Sequence, residues 1–205
     1  MRCQLEQSLN GLSADQAFRL LYAAYAHLAA RADDVPSPDA PSSTQRLLRR
    51  LGRDDTAATL LCVRKMLEER DEVWEVLAGG PRADGLSPRQ ALVAELTQML
   101  YWPTLLAVGR ASQLDASALV SYIDRGRAGD RPAKAEIDRD GDAAAILHRV
   151  LLDAGRALAA FAGAYPDEPP IEPRELALAD LGQMAARPYL EDYLRANLGM
   201  PQDLP

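Results

Sequence analysis

The residues with the clearest chemical potential lie between Lys65 and Glu75, where the chain reads KMLEERDEVWE. This stretch contains neither Gly nor Pro and consists mostly of good helix formers, so it predicts a helix. Residues three and four apart share a helix face. Four carboxylates therefore crowd one side of about two turns: Glu68, Glu69, Glu72 and Glu75. Like charges at this spacing destabilise a bare helix, and a divalent cation would reverse that effect.

A second set of oxygen ligands follows on the next predicted helix, where Glu95 and Gln98 are three residues apart and share a face. Two antiparallel helices joined by a short loop can set this pair opposite Glu69 and Glu72. Three carboxylates and one amide oxygen then converge, and such a cage suits Mg²⁺ or Mn²⁺. Zinc and di-iron sites fit poorly, because the chain has only two histidines and two cysteines and no Glu-x-x-His pair.

Basic residues near this cluster predict contacts to phosphate. Arg46, Arg49 and Arg50 lie on a short predicted helix, and Lys65 begins the acidic stretch. Guanidinium groups bind phosphate oxygens as a bidentate fork. Metal-held carboxylates beside basic residues suit nucleotide phosphoryl chemistry, because a cation neutralises developing charge and activates water. The plain alternative is an acidic helix face that only meets solvent.

Composition favours an all-α fold, because Ala, Leu and Arg dominate while β-branched residues and Phe are scarce. The net charge of −7 argues against a nucleic-acid partner, since phosphate neutralisation needs a basic surface. No window approaches the roughly 18 apolar residues of a membrane span, and no signal peptide is recognisable. Cys3 and Cys62 form no disulfide framework. We therefore expect a soluble cytoplasmic protein with no membrane partner.

Helical periodicity and turn residues divide the chain into seven predicted helices and the loops between them. The helices cover about residues 14–32, 44–51, 55–78, 88–111, 115–125, 141–164 and 174–197. Ser87 with Pro88 marks one start, and Gly79 marks one stop. Pro103 and Pro188 are expected inside helices as kinks. Residues 126–140, which are charged and contain Gly and Pro, predict a linker.

An internal repeat is visible at an offset of 85 residues. The text from Pro88 to Met99 returns from Pro173 to Met184, and Pro103 matches Pro188. This offset predicts a duplicated helix pair and a helical bundle with pseudo-twofold symmetry. The division would be a first repeat over residues 1–125 and a second over 126–205, packed together or forming one continuous domain. In the second repeat, alanines replace the acidic cluster, so a metal site belongs to the first.

These motifs resemble the all-α nucleoside triphosphate pyrophosphohydrolase superfamily, which includes MazG and phosphoribosyl-ATP pyrophosphohydrolase. The superfamily pattern is Glu-Glu-x-x-Glu, a gap, then Glu-x-x-Asp. Here Glu68-Glu69-Arg-Asp-Glu72 is followed, after 22 residues, by Glu95-Leu-Thr-Gln98. Three stretches are similar to the phosphoribosyl-ATP branch: Ser43 to Leu48, Lys65 to Val73, and Glu95 to Tyr101. The resemblance covers roughly residues 14–123 and implies MazG-like helix pairs.

The resemblance implies Mg²⁺-dependent cleavage between the α and β phosphates of a nucleotide or related phosphorylated small molecule, with release of pyrophosphate. It implies that Glu69, Glu72 and Glu95 bind metal, with Glu72 central to catalysis. Glu68 would be a further ligand or would help to activate water. The family's last Asp is replaced by Gln98, which offers one oxygen and no charge. A degenerate relative that binds a nucleotide or a partner protein without turnover is therefore the alternative. For either function we expect a monomer or a homodimer.

Overall fold

The computed structural model describes residues 2–30, 43–79, 85–110, 116–130, 143–185 and 188–199, and these residues form an all-α bundle. No strand occurs among them, so the predicted fold class is confirmed. The helices of this described part are α1 (Arg2–Asn10), α2 (Ala14–Ala30), α3 (Ser43–Leu51), α4 (Thr56–Leu77), α5 (Pro88–Gly109), α6 (Ala116–Arg127), α7 (Ala143–Ala164), α8 (Pro173–Ala185) and α9 (Pro188–Asn197).

Local capping explains where α4 and α5 begin and end. The Asp55 side chain accepts a hydrogen bond from the backbone N–H of Ala58 at 3.1 Å and so caps α4. Gly79 follows α4 with φ 76°, a left-handed conformation that glycine adopts without strain. Ser87 and Gln90 form a capping box at the start of α5, with Pro88 in its first turn. The predicted boundaries of this helix pair are confirmed.

Helix α5 lies at the centre of the bundle. It packs most extensively on α4 and also contacts α2, α3, α7 and α8. Its buried side chains include Leu92, Leu96 and Met99, and the predicted internal Pro103 is buried as well. Among the described residues, α5 is the one helix long and apolar enough to cross a membrane, but most of its apolar stretch is buried inside the bundle. The helix therefore joins both halves of the chain in one hydrophobic core.

Two glycines allow α6 and α7 to cross at close range. A Cβ atom at Gly155 would lie 1.9 Å from the Ile123 carbonyl oxygen, and one at Gly126 would lie 2.0 Å from the Leu152 carbonyl oxygen. Only glycine permits backbones to approach this closely. The predicted linker therefore begins too early, because Gly126 belongs to α6 and is buried against α7. Residues 131–142 lie outside the described part.

The pseudo-twofold symmetry predicted from the repeat is not confirmed. The repeated prolines Pro88 and Pro173 both begin helices, as the offset of 85 requires. However, α4 packs most extensively on α5, whereas its counterpart α7 packs chiefly on α6 and on α4. The predicted last helix is described as two helices, α8 and α9, and Pro188 begins the second. The division between residues 125 and 126 falls within α6 and stays a prediction.

The N-terminal helix α1 is absent from the sequence-based prediction. Leu5 and Leu9, one turn apart, are both buried, and the helix contacts α8. Its other residues are mostly polar, so the two leucines were the sequence feature that could have predicted this helix. The predicted loop over residues 33–43 lies almost wholly outside the described part of the chain.

Candidate metal centre

Three carboxylates meet between α4 and α5. Glu69, Glu72 and Glu95 each offer one oxygen, and these oxygens lie within 4.8 Å of one another. Glu69 is buried, Glu95 is half-buried and Glu72 is exposed, so the group opens to solvent on one side. The antiparallel packing of the two helices therefore brings together three of the four predicted metal ligands.

The Glu69 side chain is the most unusual member of the group. Only 7% of the residue is exposed, and one carboxylate oxygen has no hydrogen-bond partner among the described residues. Burial raises the pKa of this carboxyl, the neighbouring Glu72 raises it further, and a hydrogen bond from Trp102 partly offsets both. A buried carboxylate with an unsatisfied oxygen costs free energy unless a cation or proton compensates it.

This donor set fits a hard divalent cation. Three carboxylates can hold Mg²⁺ or Mn²⁺ while leaving positions for water or substrate oxygens, as Mg²⁺ prefers. The unsatisfied oxygen of Glu69 is the observation that supports a bound cation, because clustered acidic groups are common on helix surfaces without an ion. Gln98, the fourth predicted ligand, is exposed one turn after Glu95 on α5. Its ligand role stays a prediction.

Glu68 does not belong to this group. One of its carboxylate oxygens lies 2.9 Å from Nε of Arg64, and the other lies 2.8 Å from Nζ of Lys65. The hydrogen bond from Lys65 lowers the pKa of Glu68, and the same bond raises the pKa of Lys65. Glu75 is exposed and also lies outside the group. The four carboxylates expected on one face of α4 are therefore reduced to two, and Glu95 of α5 supplies the third.

A cavity of about 220 Å³ lies near the carboxylate group, although none of the three carboxylates lines it. Helices α3, α4 and α5 form its walls with Ser43, Thr44, Arg46, Leu47, Arg50, Leu61, Tyr101 and Trp102. Trp102 links the cavity to the carboxylate group, because its side chain hydrogen-bonds to Glu69. The Tyr101 hydroxyl lies 2.7 Å from the Thr44 hydroxyl, which fixes the wall between α3 and α5.

The predicted phosphate-binding residues are divided by the structure. Arg46 and Arg50 line the cavity, whereas Arg49 is half-buried on α3 and does not. Arg50 also donates to Asp55 over 2.7 Å, so its charge is partly neutralised. Lys65 lies one turn beyond the cavity residue Leu61 and one turn before Glu69, and its ammonium group interacts with the Glu69 charge. Two arginines therefore line the cavity, and one lysine lies near the carboxylate group.

Thr44, Tyr101 and Trp102 line the cavity but were not predicted as site residues. Thr44 lies in a stretch that resembles the phosphoribosyl-ATP branch but was given no role, and the aromatic pair Tyr101–Trp102 resembled ordinary core residues. One signal was available for Trp102, which follows Glu95 by seven residues and so lies two turns away on the same face of α5. That spacing places the indole on the same face of α5 as Glu95, but only the structure identifies Glu69 as its hydrogen-bond partner.

No family model, no curated protein and no solved structure matches this chain. The resemblance to the all-α pyrophosphohydrolases therefore stays a prediction carried by the motifs. The carboxylate group, the cavity and the nearby basic residues are the features that indicate a function.

Proposed function

We propose that this protein is a Mg²⁺- or Mn²⁺-dependent nucleotide pyrophosphohydrolase. It would cleave between the α and β phosphates of a nucleoside triphosphate or a phosphoribosyl nucleotide and release pyrophosphate. The observation that carries the proposal is the buried Glu69 carboxylate, which has one unsatisfied oxygen and lies within reach of Glu72 and Glu95. The net charge of −7 and the small cavity favour a small-molecule substrate over a nucleic acid. We propose that the activity is cytoplasmic.

In this proposal Glu69, Glu72 and Glu95 hold the cation. When bound, the cation neutralises charge on the substrate phosphates and lowers the pKa of a bound water. Arg46 and Arg50 bind the substrate at the cavity, and Lys65 interacts with phosphate oxygens nearer to the carboxylates. A water attacks the α-phosphorus, and the bond to the bridging oxygen breaks to release pyrophosphate.

Glu72 is the member of the group that solvent reaches most freely, so it accepts the proton of the attacking water. Glu68, in contrast, acts through Lys65. Its ion pair at 2.8 Å holds the Lys65 ammonium on the same face of α4, one turn from Glu69. Glu68 is therefore a positioning residue in this proposal, and not a further metal ligand or the group that activates water.

A second function, nucleotide binding without turnover, is favoured by one observation. Gln98 occupies the position where the superfamily pattern has Asp, and it is exposed. An amide brings no charge to a cation, so the affinity for metal is lower than with a fourth carboxylate. The two functions share one site and differ in whether the bound nucleotide is cleaved.

Pyrophosphate release separates the two. The protein is incubated with nucleoside triphosphates and phosphoribosyl-ATP, each with Mg²⁺ and with Mn²⁺, and Glu72→Gln serves as the inactive variant. The proposed enzyme releases pyrophosphate from at least one substrate, and Glu72→Gln does not. Nucleotide binding with no release from any substrate would instead support the binding protein. Equal release by Glu72→Gln would contradict the proposed site.

A further inference from the structure

The outward face of α4 carries an apolar stripe that the proposed function does not use. Positions spaced three and four residues apart run along the side opposite the buried face of Ala58, Cys62 and Met66. Four of these positions are apolar: Ala57, Leu60, Leu67 and Trp74. Leu60 is 61% exposed and Trp74 is 38% exposed, and they are among the few large exposed hydrophobic residues in the described part. Such spacing is that of a helix that pairs with another helix.

Two charged residues interrupt the stripe, and their charges are opposite. Arg64 lies between Leu60 and Leu67, and Asp71 lies between Leu67 and Trp74. Both side chains are mostly exposed, at 70% for Arg64 and 65% for Asp71. Each also has a surface partner in its own chain, Glu68 for Arg64 and Arg70 for Asp71.

We propose that the α4 stripe is a homodimer interface in which two copies of α4 pack antiparallel. A twofold axis passing beside Leu67 places Arg64 opposite the partner's Asp71 and Leu60 opposite the partner's Trp74. A parallel arrangement would instead oppose Arg64 to the partner's Arg64 and Asp71 to the partner's Asp71, which is unfavourable. The stripe is therefore complementary to itself in one orientation, as a twofold interface requires. This inference does not depend on the proposed enzymatic function.

The antiparallel arrangement also affects the carboxylate group. Lys65, Glu68 and Glu72 lie on one flank of the stripe, one turn apart. In antiparallel pairing, the same flank of each helix meets that of its partner. Lys65 of each copy then lies near the partner's acidic flank.

Charge exchange tests the interface in solution. Sedimentation equilibrium of the full chain should give a concentration-dependent mass that rises from 22.3 kDa toward twice that value. Arg64→Asp and Asp71→Arg should each weaken dimerisation by roughly tenfold or more, because each creates two like-charge pairs per dimer. The double variant with both changes should restore it. Arg53→Asp makes the same charge change at an exposed position outside α4 and should have no effect.

Disulfide formation tests the orientation. With oxidised glutathione as electron acceptor, two thiols from Leu67→Cys should lose two protons and two electrons and join across the twofold axis. Ala57→Cys should not cross-link, since antiparallel pairing places the two copies of this residue at opposite ends. The unchanged chain controls for the native thiols. A wild-type monomer up to roughly 100 μM, a dimer insensitive to charge exchange, or cross-linking by Ala57→Cys would each overturn the proposal.

Discussion

The Trp102 side chain hydrogen-bonds to the carboxylate of Glu69 and so joins α5 to α4 where the cavity meets the carboxylate group. Because an indole has only a donor, the N–H group donates to a Glu69 oxygen. This bond lowers the pKa of a carboxyl that burial raises. It therefore favours the ionised form that a cation requires, and it also positions one wall of the cavity.

Replacing Trp102 by Phe should weaken metal binding while the protein stays folded. The variant loses the hydrogen bond to the Glu69 carboxylate, so the Glu69 pKa rises and protons compete better with the cation. Loss of a bond to a charged group should cost about 1.5–3 kcal/mol of unfolding free energy. Mg²⁺ titration and urea denaturation measure the two effects. Trp74→Phe, on the outward face of α4, is the matched control for Mg²⁺ binding and should leave that binding unchanged.

The metal-free protein should also show a pH dependence that originates at Glu69. Its folded-state pKa lies above the ordinary value of 4.5, so the folded state binds the proton more tightly than the unfolded state. The stability contribution is present at low pH and is lost as pH rises through the folded-state pKa. Glu69→Gln removes this loss, because the amide stays neutral.

Urea denaturation with a chelator present, from pH 4 to pH 7, measures the predicted difference. The unfolding free energy of Glu69→Gln relative to the wild type should increase across this range. A constant difference for Glu69→Gln would show that burial of this carboxyl has no energetic consequence.

The crossing of α6 and α7 gives a prediction about stability alone. Gly155→Ala places a methyl group against the Ile123 carbonyl oxygen, so the helices must separate. We expect a loss of about 3 kcal/mol or more in unfolding free energy. Gly163→Ala, in the same helix with no heavy atom within 4 Å of the added Cβ, should instead be neutral or stabilising by up to about 1 kcal/mol. Chemical denaturation of both variants compares them directly.

Local signals predicted most of the helix pair that carries the site. The Ser87 capping box, Pro88 and Gly79 act within one turn of the chain, so sequence alone locates them. The short connection between α4 and α5 also forces an antiparallel pair, which explains why Glu95 was correctly placed opposite Glu69. These features depend on residues near one another in sequence.

Features that depend on distant residues were not predicted. Gly126 was predicted to belong to a linker. Its role is to let the backbone of α7 approach closely, and sequence alone does not show which helix packs there. Glu68 matched the motif as well as Glu69 did, but in the structure it lies outside the carboxylate group, in ion pairs with Arg64 and Lys65. Which carboxylates of an acidic helix face converge is decided by rotation of the helix in the bundle, and sequence spacing does not determine it.

With Gln98 in place of a fourth carboxylate, the site should bind Mg²⁺ less tightly than it otherwise would. Gln98→Asp would add a negatively charged ligand one turn from Glu95, and we expect Mg²⁺ binding to tighten by about tenfold or more. Isothermal titration calorimetry measures the change. Gln183→Asp, at the exposed position of α8 that the repeat aligns with Gln98, controls for the added charge alone. Equal or weaker binding by Gln98→Asp would exclude this side chain from the metal centre.

The most direct test of the metal centre is Mn²⁺ binding followed by electron paramagnetic resonance, which distinguishes free from protein-bound ions. The wild type should bind one Mn²⁺ per chain, and Mg²⁺ should compete for it. Glu95→Gln, which removes the carboxylate contributed by α5, should weaken binding by about tenfold or more. Glu75→Gln should bind as the wild type does. Equal binding by wild type and Glu95→Gln, or no binding by the wild type, would contradict a metal centre at these three carboxylates.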